Sequence, residues 1–109
     1  MAYDEGLVER LHDVLSEQMG VTEKKMFGGL ALMCQGHMFC GIANEKLMVR
    51  VGAERYEQAL FEPHTRVMDF TGRPMKGYVY VEPAGFESDD DLKNWANRGL
   101  EFVLSLPPK

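Results

Sequence analysis

Apolar positions fall into two kinds of pattern along the chain, helical near the ends and strand-like through the middle. From Asp4 to Met19 the apolar residues are Leu7, Val8, Leu11, Val14, Leu15 and Met19, which trace one stripe of a helix. Glu9, Arg10, Asp13, Glu17 and Gln18 occupy the opposite face, and Gly20 stands where a left-handed cap closes such a helix. Near the other end, Leu92, Trp95, Ala96, Gly99, Phe102, Val103 and Leu106 repeat the pattern. Ser88 is a fitting N-cap, Asp89, Asp90 and Asp91 suit the positive end of the helix dipole, and Pro107 and Pro108 stop the helix.

Between these helices the runs are short and separated by turn residues. Leu30–Cys34 and Met38–Ile42 flank Gln35-Gly36-His37, and Leu47–Val51 follows Asn44-Glu45-Lys46, the signature of an antiparallel meander. A three-residue loop sets Cys34 opposite Met38, Leu32 opposite Cys40 and Leu30 opposite Ile42, so that six apolar side chains share one face. That register sends Phe39 and Met33 to the other face. A short helix over Ala53–Phe61 uses Tyr56, Ala59 and Leu60 as contacts and exits at Pro63. Two further strands, His64–Phe70 and Lys76–Val81, flank the turn Thr71-Gly72-Arg73-Pro74. The expected order is α-β-β-β-α-β-β-α, with Thr22–Phe27 able to add a short strand.

Size and charge narrow the function classes. A chain of 109 residues without linker or repeat is one domain, spanning 1–109, with enough length for a core. The net charge is −5, so a phosphate-binding surface is limited to a local patch of Lys24, Lys25, Arg66, Arg73 and Lys76, and direct DNA binding is not expected. The longest apolar runs hold about five residues, well below a membrane span. The N-terminus has acidic residues and no apolar signal core, so the expected location is cytoplasmic.

No residue group makes a catalytic or metal-binding constellation, so neither an enzyme nor a cofactor is expected. Cys34 and Cys40 sit diagonally on adjacent strands, about 7–8 Å apart between Cα atoms, too far for a disulfide. They read as small buried hydrophobes. His12 has Ser16 four residues on where a second ligand would be, His37 lies at a hairpin tip without partners, and His64 has no nucleophile placed by motif. Successive helical side chains diverge by about 100°, so Asp89–Asp91 cannot converge on one ion and are better explained by capping. Gly28-Gly29 precedes a strand and not a helix, so it reads as a bend or bulge instead of a phosphate loop. Of eight methionines, six lie on or beside expected strands. Most are read as core fillers and a minority as a plastic binding surface.

The run Lys25-Met26-Phe27-Gly28-Gly29, the two strands after it, and Leu47-Met48-Val49-Arg50-Val51 resemble the N-terminal domain of the TfoX/Sxy family of competence regulators. Phe70-Thr71-Gly72-Arg73-Pro74-Met75, running into Tyr78-Val79-Tyr80-Val81, matches as well. The resemblance implies an α+β fold, an antiparallel β-sheet with helices packed mainly on one face. It also implies a regulatory protein-interaction module in transcription of DNA-uptake genes, alongside the cyclic-AMP receptor protein. Full-length members carry a further C-terminal helical domain, and the expectation here is the N-terminal domain standing alone. The expected partner is thus a protein, such as a transcription component. Lys25 and Arg73, at matched non-core positions, and Phe39 and Tyr78 are the candidate interaction residues. A self-associating domain, using Met33, Phe39, Tyr78 and Tyr80, and a small-ligand or enzyme domain remain as alternatives.

Overall fold

Strand pairing in the middle of the chain and two amphipathic helices at its ends generate one curved layer of sheet under one layer of helices. A computed structural model describes residues 5–26, 29–68 and 76–107 of the chain. In chain order the elements are α1 (Glu5–Val14), β1 (Val21–Met26), β2 (Gly29–Cys34), β3 (His37–Ala43), β4 (Lys46–Arg50), α2 (Tyr56–Leu60), β5 (Thr65–Val67), β6 (Tyr78–Val81), a 3-10 turn (Pro83–Phe86) and α3 (Asp89–Leu104). All six strands are antiparallel neighbours in one sheet ordered β1-β2-β3-β4-β6-β5. The α+β arrangement is therefore as expected, with β1 supplying a full additional edge strand. No described helix is long and apolar enough to cross a membrane.

The helices lie on one side because only one face of each strand is continuously apolar. Leu32, Cys34, Ile42, Leu47, Val49, Val79 and Val81 form a single cluster with Leu7 and Leu11 of α1, Ala59 of α2, and Leu92, Trp95, Ala96 and Val103 of α3. α3 begins as the sequence implies: the Ser88 hydroxyl accepts a hydrogen bond from the Asp91 N–H at 3.0 Å. α1 is shorter than its apolar stripe. It loosens after Val14 into turns, with Gln18 N–H bonded to the Leu15 carbonyl, and leaves Met19 86% exposed. Gly20 does adopt left-handed backbone (φ 82°), but in the turn leading into β1 and not as the helix cap.

The β2–β3 hairpin corrects the expected register. Leu30 faces Ile42 and Leu32 faces Cys40, as a three-residue loop requires. Nearer the turn, however, Met33 faces Met38 and Cys34 faces His37, as a two-residue loop requires. Gln35 (φ 55°) and Gly36 (φ 84°) both take positive φ, the geometry of a type I′ turn matched to strand twist. A β-bulge reconciles the two halves, leaving Phe39 without an opposite residue. The bulge turns Phe39 toward the helices, so both Phe39 and its neighbour Cys40 are 0% exposed in the core. Phe39 thus lies inside the protein and not on the opposite face. Both cysteines are free and buried.

α3 comes unusually close to this bulge. A Cβ built on Gly99 would fall far inside contact distance of the Phe39 carbonyl oxygen. Glycine at this helical position is what lets the helix backbone rest on the strand.

Candidate interaction surface

Strand alternation leaves a second sheet face on which no described helix packs. Parity assigns its residues: where Leu47, Val49 and Val81 point to the core, Lys46, Met48, Arg50, Tyr78 and Tyr80 point away. On the edge strand the same rule separates Glu23, whose carboxylate meets His12 of α1, from Thr22 and Lys24 on the helix-free side. One row of directly opposed residues crosses the whole sheet: Lys24, Ala31, Gly41, Met48, Tyr80 and Arg66. At ordinary strand spacing it is about 24 Å long.

The centre of the row is apolar and its ends are cationic. Ala31 and Met48 are buried yet stand outside the main cluster, and Met33 and Met38, opposed across the hairpin, are half-buried. Gly41 is enclosed between Leu30, Ala31 and the end of the Met48 side chain. The methionines divide between core and surface: Met48 and Met68 are buried, while Met33 and Met38 are half-buried on this face. Flexible, polarizable side chains at a half-open surface adapt to a partner's shape.

The tyrosines here are paired with cations. The Lys46 ammonium lies 5.3 Å from the Tyr80 ring centroid, and the Arg50 guanidinium 5.6 Å from that of Tyr78. Arg50 stands at the end of its strand and also reaches within 5.2 Å of the Phe102 ring centroid on α3. Such contacts hold the cations over apolar surface without neutralising them. Arg66 is joined to Glu82 at 2.6 Å. Among the described residues, four cations against one carboxylate give this face +3, in a chain whose total is −5.

The candidate residues from the sequence separate clearly. Tyr78 is half-buried on the helix-free face, while Lys25 is exposed on edge strand β1 with helix-side parity. Phe39 is in the core, and Arg73 lies outside the described residues. Lys46, Met38 and Met48 were not singled out as surface residues, although the alternation of Leu47-Met48-Val49-Arg50 already places Met48 and Arg50 together, opposite the core pair.

Two adjoining clefts, about 430 Å³ between the segment before α2 and the end of α3 and about 380 Å³ between α2 and α3, are both lined by Val51 and Arg55. Four of their charged groups are paired with one another. Arg98 donates through both terminal nitrogens to Glu62, one bond measuring 2.9 Å, and its guanidinium lies 4.3 Å from the Trp95 ring centroid. Arg55 pairs with Glu101 at 3.7 Å. Among the described residues no group of His, Cys, Asp or Glu is placed to hold a metal ion. Burial pushes the Cys40 thiol well above its ordinary range, so it is no nucleophile. His37 is buried at the start of β3, where its Nε2 meets the Pro107 carbonyl oxygen at 2.7 Å and fastens the segment after α3.

Compared with known families, residues 13–103 match the family described as the TfoX N-terminal domain. No curated protein matches the chain.

Proposed function

The chain belongs to the TfoX N-terminal domain family, and from that premise we propose that it is a non-enzymatic, competence-regulator-like module that binds a protein of the transcription apparatus. The observation that carries this reading is the helix-free sheet face, where methionines, tyrosines and lysine or arginine side chains meet on a rigid platform. A stiff sheet presents these groups without a large ordering cost, and aromatic and arginine side chains are the usual anchors of protein interfaces. The family supplies the regulatory direction; the face supplies a place for contact.

The test is affinity capture from host lysate with the intact chain, alongside a Met38→Asp/Tyr78→Asp variant shown by circular dichroism to be folded. Retention of the cyclic-AMP receptor protein or RNA polymerase by the wild type, with loss in the variant, is the expected result. Recovery of neither component by the folded wild type defeats the regulatory reading.

A further inference from the structure

We propose that the helix-free face binds an extended acidic segment of a partner protein, one with glutamate or aspartate near both ends and apolar residues between them. This rests on the interaction-module reading above and adds the chemistry of the partner. Charge complementarity carries it. Among the described residues the face holds Lys24, Lys46, Arg50 and Arg66 against Glu82, a net +3, in a chain whose total is −5. A strongly acidic protein that keeps one cationic face steers anionic groups to that face and away from the others.

The spatial order of the groups selects a segment that is acidic near both ends and apolar between them. Cations flank the row at Lys24 and Arg66, with Ala31, Gly41 and Met48 between them. Acidic side chains reach the flanking cations while apolar ones settle on the half-buried Met33 and Met38, which conform to irregular shapes. Single-stranded nucleic acid fits less well. Binding it commonly needs uncommitted aromatic faces for base stacking and a dense positive groove. Here Tyr78 and Tyr80 are already in contact with Arg50 and Lys46, and Arg66 is paired with Glu82, so the described cations do not form a dense positive groove.

The test uses fluorescence anisotropy with a labelled dodecapeptide carrying glutamates near both ends and leucines between them, and with an oligothymidylate of equal length. Lys24→Glu/Arg66→Glu reverses the exposed ends of the row. Lys93→Glu, exposed on α3, is the control for total charge. The peptide is expected to bind the wild type more weakly as salt rises, to lose about tenfold or more in affinity to the double variant, and to be indifferent to Lys93→Glu. Amide shifts in β2, β3 and β4 accompany binding.

Equal peptide affinity for the wild type and the double variant overturns the proposal. So does binding of the oligothymidylate in place of the peptide, or of neither. Lysate capture separates this failure from that of the module reading. A partner lost with Met38→Asp/Tyr78→Asp but retained by Lys24→Glu/Arg66→Glu preserves the module and removes the acidic segment.

Discussion

The carbonyl oxygen of Phe39 occupies the space that a side chain on Gly99 would need, so the closest approach of helix to sheet is made where the hairpin bulges. The atom in the way belongs to the backbone of a central strand, which cannot rotate aside as a side-chain tip can. Gly99→Ala is expected to destabilise the protein by about 1–3 kcal/mol despite alanine's better helix propensity. Asn97→Ala, exposed on the same helix, is expected to stay within about 0.5 kcal/mol of wild type. Urea unfolding of both variants gives the comparison, and a more stable Gly99→Ala protein contradicts the packing described.

The bulge also sets Phe39 and Met33 in opposite roles. Phe39 is fully buried with Cys40, Leu92 and Val103 in the main cluster, so Phe39→Ala is expected to cost about 3–5 kcal/mol. Met33 is half-buried on the helix-free face, so Met33→Ala is expected to cost under about 1.5 kcal/mol. Denaturation midpoints decide between this placement and one that puts both side chains on the same surface. Similar losses for the two variants exclude the bulge.

Cys40 gives the fold a dependence on alkaline pH. Burial raises its folded pKa above the ordinary value of 9.0, so the folded state holds the proton after the unfolded chain has released it. The contribution is fully present below the unfolded value and is lost as pH rises above it toward the folded value. Each pH unit in that window costs up to about 1.4 kcal/mol. Unfolding free energies measured from about pH 8 to about pH 11 are expected to fall less steeply in Cys40→Ala than in wild type. Iodoacetamide at pH 8, roughly neutral to the buried thiol, is expected to label Cys40 only at the rate of unfolding. Rapid labelling of the native protein counts against this burial.

Much of the fold was legible because short-range physics decides it. Ser88 with three aspartates after it can do little other than open a helix, and Leu92–Val103 could only face a core. Alternation in Leu47–Val51 fixed which residues share a face. The hairpin was harder, since its two candidate registers are each satisfied over part of its length and only the bulge reconciles them. Nothing in His37-Met38-Phe39-Cys40 marks where an unpaired residue will fall. Phe39 therefore reads as a surface residue, because apolar character alone does not distinguish the two faces of a strand in which both are apolar. The candidate surface was legible only in part: Tyr78 and Lys24 were visible as residues, but the row joining Lys24 to Arg66 is a product of six-strand order.

Arg98 and Glu62 link α3 to the end of α2, and their side chains are 29% and 35% exposed, between the exposed and buried limits for ion pairs. Solvent weakens the Coulomb attraction at that exposure, but the two parallel hydrogen bonds and the Trp95 ring hold the guanidinium in place. A double-mutant cycle with Arg98→Ala and Glu62→Ala is expected to give a coupling of about 1 kcal/mol, falling as salt is raised. Arg98→Ala is expected to cost more than Glu62→Ala, because it also uncovers Trp95. Arg98→Lys is expected to recover only part of that loss, since an ammonium cannot reproduce the paired bonds. Equal losses for the two alanine variants, with no coupling between them, contradict the arrangement.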